Sequence, residues 1–205
     1  MGAAVTESLP SLDQTSALLR HRRSVKPVDM DPDRALPTDL VWQLLESATW
    51  APTHGLTEPW RFVVYTGTAR AAFARTLQDI YQRATPAPEY REDKFRKLGE
   101  NPLLAAVTIL CVMERCGGDK IPEHEELQAV ACAVQNLLLG ATAAGVASFW
   151  SSPPLIGTRE FKAAFQLGPG DRCLGFVYLG WPKASLTWPR STRQPVQTKV
   201  IWHDV

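Results

Sequence analysis

The sequence predicts a globular protein that mixes α-helices with β-strands, on three observations. Of its 205 residues, 45% are apolar and 21% are charged, which is the composition of a folded domain rather than of a disordered chain. Short apolar runs of strand length alternate along the chain with longer segments of helical periodicity. One segment, residues 127–150, has no charged residue at all. We expect a single domain over residues 11–205, preceded by a flexible arm at residues 1–10.

The first half of the chain is expected to contain a helix, a loop, a helix, a buried strand and a helix, at residues 11–23, 25–36, 38–50, 61–66 and 69–83. Thr38 or Asp39 is a suitable cap for the second helix. Pro52 ends that helix, because proline disfavours the helical conformation in the residue before it. Gly67 separates the strand from the following amphipathic helix.

The second half is expected to contain a short charged helix, a strand, a long helix, a strand, a short helix and a last core strand, at residues 90–98, 105–113, 127–145, 146–151, 158–167 and 173–181. A β-like run at residues 196–202 follows in a polar tail. Because the tail comes after the core is complete, we expect it to pack on a partner subunit. Residues 90–98 are expected to be exposed and mobile.

The uncharged segment is long enough to span a membrane, but its polar residues favour a buried helix in a protein without membrane contact. Glu123, Glu125 and Glu126 suit the first turn of such a helix, and Gly145 suits its end. A helix that is apolar all round needs a large core or a subunit interface. A chain of this length has little room to bury it alone, so we expect a homodimer.

Composition also limits the function. A net charge of +1 argues against a partner bound mainly through nucleic-acid phosphates. No cationic start precedes an apolar segment at the N-terminus, so we expect no signal peptide and a cytoplasmic protein. The four cysteines form no CxxC pair and no zinc-binding pattern, which predicts reduced, mostly buried thiols and no metal site.

The sequence lacks the common catalytic patterns. It has no GxGxxG, GxxxxGK[ST] or GxSxG motif, and no nucleophile or acid–base pair at an informative spacing. If the protein is an enzyme, a cofactor carries the reaction. The strongest candidate site is residues 18–27, where Arg22, Arg23, Ser24 and Lys26 follow a predicted helix. Such side chains can hold a phosphate, although a solvated basic helix end is the alternative.

Four segments together resemble the nitroreductase family. Arg22-Arg23-Ser24 resembles its opening motif, and residues 51–60 with the strand after them resemble its Ala-Pro…Pro-Trp signature. Residues 135–150 are similar to its long central helix and the strand that follows. Residues 178–182 are similar to its last strand and Leu-Gly-x-Pro exit. The motifs occur in the family's order over residues 15–185, and the His54 form resembles the small, single-domain NAD(P)H nitroreductase branch.

The resemblance implies an α+β fold with a mainly antiparallel central sheet flanked by helices, in an intertwined homodimer with FMN at each of two interface sites. It implies that the following residues bind the cofactor: Arg22, Arg23, Ser24, Trp50, His54, Trp150, Ser151, Ser152 and Lys183. The first three would hold the phosphate and ribityl chain, Trp50 and His54 would reach the flavin from the other subunit, and Lys183 would add charge to the phosphate. The residues at 150–152 would line the isoalloxazine or phosphate side.

The chain departs from the family pattern at two positions. Ser151 stands where similar branch members can carry Arg, so Lys183 or Arg190 is expected to replace that charge. Lys26 stands at the third basic position of the opening motif, which keeps the charge but loses the guanidinium fork.

The function implied is reduction of nitroaromatic, quinone or other conjugated acceptors by NADH or NADPH through FMN, with no catalytic side chain. Three alternatives remain open: a flavin-dependent dehydrogenase or dehalogenase on the same fold, a flavin-binding or redox-sensing protein without turnover, and a structural dimer without flavin.

Overall fold

The structure is a computed structural model that describes residues 9–116, 118 and 120–204. Most of the predicted N-terminal arm, residues 1–8, lies outside the described residues. The helices of the described part are α1 Leu12–His21, α2 Thr38–Thr49, α3 Ala69–Ala84, α4 Glu92–Leu104, α5 Glu123–Ala143 and α6 Arg159–Ala164. Its strands are β1 Trp60–Thr66, β2 Val107–Met113, β3 Ala147–Ser151 and β4 Arg172–Gly180. The predicted α+β class is confirmed.

The strands form one antiparallel sheet in the order β1-β2-β4-β3. Every residue of β2 is buried, as expected for a central strand. The prediction that the first strand is buried is wrong, because β1 lies at an edge and is only partly covered. A short apolar run looks the same in the sequence of a central strand and of an edge strand. The pattern of apolar residues does not show which other strands will pair with that run.

Helices cover both faces of the sheet. On one face, apolar side chains of α2 and α5 pack against Ile109 and Cys111 of β2. On the other face, side chains of α3 and α6 pack with Leu110 and Val112. Alternate residues of a strand point to opposite faces, so the buried strand β2 contributes to both halves of the core.

Three local predictions are wrong. Thr38 is the first residue of α2 and Pro37 precedes it, so neither Thr38 nor Asp39 is the cap. The charged helix is longer than predicted and continues through Pro102 to Leu104. The run at residues 196–202 forms no strand; Val196–Lys199 is a short 3-10 helix within residues 190–204, all of which are exposed.

The long helix α5 ends as predicted, because Gly145 adopts a φ of +71° just beyond it. It is buried along one side only. Gln128, Cys132 and Ala143 are exposed on the other side, in line with the expectation that one chain cannot bury this helix completely. None of the described helices combines the length and the apolar character that a membrane crossing requires.

Gly175 fits β4 closely against the end of β3. Its φ is +115°, and an added Cβ would lie 2.2 Å from the carbonyl oxygen of Ser151. Replacing Gly175 by Ala should lower the free energy of unfolding by about 1–3 kcal/mol, through backbone strain and overpacking. Chemical denaturation measures this change. Gly157→Ala is the control, since an added Cβ there meets no atom within 4 Å; equal stability of the two variants would contradict the prediction.

Candidate functional site

The segment after α1 is held against β3. The N–H of Val25 donates a hydrogen bond to the carbonyl of Ser148 at 2.9 Å, and Ser24 forms a parallel bridge with Ser148. Val25 is fully buried and anchors the segment in the core. Arg22 and Arg23 are thereby fixed between the end of α1 and the start of β3.

A second set of bonds fixes the same segment to the chain beyond β4. The N–H of Asp31 donates to the carbonyl of Trp181 at 2.8 Å, and the N–H of Lys183 donates to that of Asp29 at 3.0 Å. The ammonium group of Lys183 donates to the carbonyl of Val28 at 2.8 Å. Lys183 therefore lies beside the segment that follows α1, and its ammonium group is bound to the backbone.

Three guanidinium groups gather at this segment. The pKa of Arg22 is lowered by burial and by the positive charges of Arg23 and Arg193. Nη1 of Arg23 donates to the carbonyl of Arg22 at 2.6 Å, whereas its Nε is buried with no hydrogen-bond partner among the described residues. Like charges that approach each other destabilise the charged forms, and a buried donor needs an acceptor. The cluster of Arg22, Arg23 and Arg193, here called the arginine cluster, thus fits an anion with several oxygen acceptors.

Arg193 is a candidate site residue that was not expected from the sequence. The tail that carries it turns back onto α1, where the ring of Trp188 stacks on His21 with centroids 5.1 Å apart and planes 3° apart. Nε1 of Trp188 also donates to the carbonyl of His21 at 2.8 Å. Arg190 or Lys183 was expected from the sequence as the additional cation. Trp188 was the available sign in the sequence that the tail returns to the domain.

The end of β3 divides its side chains between the two faces of the sheet. Ser151 and Phe149 line a cavity on the face covered by α3. Trp150 points to the other face, where its Nε1 donates to the carbonyl of Leu174 at 2.8 Å. Ser152 follows the strand and is exposed. The structure therefore brings Ser151, but not the ring of Trp150, to the cavity.

The cavity has a volume of about 810 Å³, within the usual range of about 300–1,000 Å³ for small-molecule sites. Its walls come from residues 26–28 of the segment after α1, the ends of α3 and β3, the length of α4, and the turn after β3. Residues on these walls include Lys26, Val28, Tyr81, Leu98, Asn101, Phe149, Ser151, Leu155 and Tyr178. Burial raises the pKa of Tyr178, so its hydroxyl stays protonated at neutral pH.

Trp50 and His54 follow α2 in the sequence, and neither lines the cavity. The side chain of Trp50 is 82% exposed at the end of α2. Nδ1 of His54 lies 2.5 Å from Oε2 of Glu125 in the first turn of α5. No hydrogen bond or ion pair of the described residues links either side chain to the arginine cluster.

The loop around His54 is strained and well ordered by hydrogen bonds. Leu56 and Glu58 adopt φ angles of +53° and +46°, which non-glycine residues rarely do. The hydroxyls of Thr53 and Thr57 lie 3.1 Å apart, and the N–H of Glu58 donates to the hydroxyl oxygen of Thr53 at 3.1 Å. Strained backbone of this kind is concentrated at functional sites.

The cysteines contribute no visible chemistry. Cys111 is buried and Cys173 is half-buried, whereas Cys116 and Cys132 are exposed, so the prediction of mostly buried thiols is wrong for two of them. Burial raises the pKa of Cys173 to about 12, and a thiol at that pKa is a poor nucleophile. Among the described residues, no group of His, Cys, Asp or Glu side chains is arranged to hold a metal ion.

Comparison with known proteins agrees with this architecture. The model of the nitroreductase family matches residues 19–181, and the chain belongs to that family. The Bacillus subtilis protein that is named putative NAD(P)H nitroreductase YfhC is 26% identical to this chain. The alignment covers 86% of this chain and 89% of the Bacillus protein.

Two solved structures extend the comparison to the fold. A nitroreductase-like family protein from Bacillus cereus has a TM-score of 0.78 and 25% identity, covering 97% of this chain and all of its own. The FMN-dependent nitroreductase NfnB from Mycobacterium smegmatis, solved in complex with NADPH, has a TM-score of 0.71 and 17% identity, covering 95% of this chain and all of its own. The nitroreductase-like fold predicted from the four motifs is confirmed.

Proposed function

We propose that this protein is a cytoplasmic FMN-dependent oxidoreductase that uses NADH or NADPH to reduce nitroaromatics, quinones or similar conjugated acceptors. The observation that carries the proposal is the arginine cluster, with its buried, unpartnered Arg23 Nε, on the same segment as Lys26, which lines a cavity of about 810 Å³. Membership of the nitroreductase family supports the same cofactor and reaction class.

The phosphate of FMN would bind the arginine cluster. Guanidinium groups give paired, charge-assisted hydrogen bonds to phosphate oxygens, and an anion there would relieve the mutual repulsion of the three cations. Ser24 is exposed beside them and would add a directional hydroxyl. Lys183 would contribute charge at longer range, since its ammonium group is bound to Val28.

The remaining contacts would come from the end of β3 and from a second subunit. Ser151 lines the cavity and Ser152 follows it, so both would meet the flavin from within the same chain. Trp50 and His54 would reach the flavin of the partner, with Glu125 fixing the ring of His54. Trp150 would support the strand from the opposite face of the sheet.

The homodimer that this arrangement requires has support on the surface of the chain. The exposed side of α5, defined by Gln128, Cys132 and Ala143, is the surface that a second copy would cover. In the tail, Ile201 and Trp202 are 84% and 80% exposed. Side chains of this kind are normally buried, and we assign the end of the tail, residues 196–202, to the surface of the partner subunit.

When bound, FMN would supply hydride transfer through N5, between the pyridine nucleotide and the acceptor. The protein's own residues would bind and orient the flavin, and the largely apolar cavity would exclude water from the reacting groups. The net reaction with a quinone consumes one NAD(P)H and one proton, and yields NAD(P)⁺ and the hydroquinone. The described part of the chain offers no acid–base pair or activated nucleophile at the cavity, so no covalent intermediate with the protein is expected.

The visible spectrum of the purified protein, before and after addition of FMN, tests the proposal. We expect flavin absorbance that remains after gel filtration, bleaching by NADH or NADPH without oxygen, and restoration by a quinone. Bound flavin that neither nucleotide bleaches would favour a flavin-binding protein without turnover. The absence of flavin binding would contradict the proposal and favour a structural dimer. Bleaching without reoxidation by quinones or nitroaromatics would favour another flavin-dependent reaction on the fold.

A further inference from the structure

Helix α4 forms the wall of the cavity that carries most of its charge. Lys94, Lys97, Leu98, Asn101 and Leu104 all line the cavity, and their spacing puts them on one side of the helix. The ammonium groups belong to the N-terminal half of this stripe, whereas the leucines and the amide occupy the other half. The wall therefore changes from cationic to apolar along its length.

Most charged side chains on this wall are neutralised by neighbours on the same helix. Arg96 lies 3.7 Å from Glu100, and Lys97 lies 3.8 Å from Asp93. Lys94 forms no ion pair or side-chain hydrogen bond with any described residue. It is exposed and so free to meet a group that enters from solvent.

The other charged groups of the cavity leave a positive balance. Lys26, outside α4, also lines the cavity and likewise has no ion-pair partner in the described part of the chain. Glu89 brings one carboxylate. When the two ion pairs of α4 are left out of the count, the ammonium groups of Lys26 and Lys94 remain against the single carboxylate of Glu89.

We propose that the cavity prefers acceptors that combine a conjugated ring with an anionic group, such as a carboxylate or a sulfonate, and that Lys94 is the main determinant of this preference. The inference rests on the proposed function, because it assigns the cavity to the acceptor. The ring would lie against the apolar walls near Ser151, which is shared with the flavin site, and the anion would face Lys94. Charge complementarity of this kind changes encounter rates and selectivity more than it changes total affinity.

The test uses the full-length protein loaded with FMN, reduced by dithionite without oxygen and then mixed rapidly with a quinone. This design leaves out the pyridine nucleotides, which are themselves anionic. The probes are 1,4-naphthoquinone-2-sulfonate and the neutral 2-methyl-1,4-naphthoquinone. For the wild type, the second-order rate constant with the sulfonate should fall as salt is added, whereas that with the neutral quinone should not.

Two variants of Lys94 measure how much its charge contributes to the rate constant with the sulfonate. Lys94→Gln should lower the rate constant with the sulfonate by about threefold, as expected for a single exposed charge, and Lys94→Glu by about tenfold. Neither should change the rate constant with the neutral quinone, and both should reduce the salt dependence. Lys120→Gln is the control, because Lys120 is exposed, does not line the cavity, and its replacement makes the same change in net charge.

The outcomes separate this inference from the proposed function. If reduced flavin is reoxidised by both quinones and the Lys94 variants leave the ratio of the two rate constants unchanged, only the preference for anions is overturned. Equal loss with both quinones would also overturn it, since Lys94 would then act on the flavin or on the fold. A protein that retains no flavin, or whose reduced flavin neither quinone reoxidises, would overturn the proposed function and this inference together.

Discussion

Arg22→Ala is expected to weaken FMN binding by about ten- to hundredfold while leaving the domain folded. A hydrogen bond to a charged group is worth about 1.5–3 kcal/mol, and tenfold corresponds to about 1.4 kcal/mol. Arg22 is the member of the arginine cluster whose pKa responds to burial and to both other guanidinium groups, so its removal takes charge from the centre of the site. Titration of apoprotein into FMN, followed by flavin fluorescence, gives the dissociation constant.

Arg20→Ala is the matched control for this prediction. Arg20 is exposed on the same helix and also carries one positive charge. If both variants bind FMN as well as the wild type, the arginine cluster is only a basic helix end. A second pair of variants tests which residue completes the cluster: Arg193→Ala should weaken binding, whereas Arg190→Ala should not.

Cys132→Arg is expected to convert a dimer into a monomer and to abolish FMN binding with it. The side chain of Cys132 is exposed in the single chain, so the arginine should be tolerated by the fold. It would introduce a large, charged group in the middle of the exposed side of α5, the surface that we assign to the dimer interface. Burial of an unpaired charge is strongly unfavourable, and the loss of Trp50 and His54 of the second chain would remove one wall of each flavin site.

Light scattering after gel filtration gives the mass in solution. The wild type should have twice the mass of the 22.7 kDa chain, and the variant should have the mass of one chain with an unchanged circular dichroism spectrum. Ala72→Arg is the control, at an exposed position of α3. A Cys132→Arg protein that remains dimeric with bound FMN would show that α5 is not the interface.

Local sequence patterns predicted the helices and strands of the core, because hydrophobic periodicity is a property of residues that are close together in the sequence. The end of α5 at Gly145 and the strand at Val107–Met113 are examples. The edge position of β1 was not predictable in this way, because strand order depends on pairing between distant segments. The tail was predicted as β-like, but its apolar residues meet no free sheet edge in the structure.

The site was predictable where its residues are adjacent in sequence and not where the fold brings them together. Arg22 and Arg23 form part of a visible basic motif. Arg193 joins them only because Trp188 stacks on His21, a contact between residues that are far apart in the chain. The separation of Trp150 from Ser151 follows from strand alternation, but the face that carries the cavity is decided by the packing of α3 and α4.

The order of the strands has a consequence for synthesis of the protein. The last strand, β4, lies between β2 and β3, and among the described residues β3 pairs with no strand other than β4. A nascent chain that has not yet released residues 172–180 therefore exposes two unpaired strand edges, where other chains can add. Ser151 takes its final position only when β3 pairs with β4, and Arg193 leaves the ribosome later still. Cofactor capture must come after Arg193 has left the ribosome, and the level of free FMN in the cell would then influence how much new protein escapes aggregation.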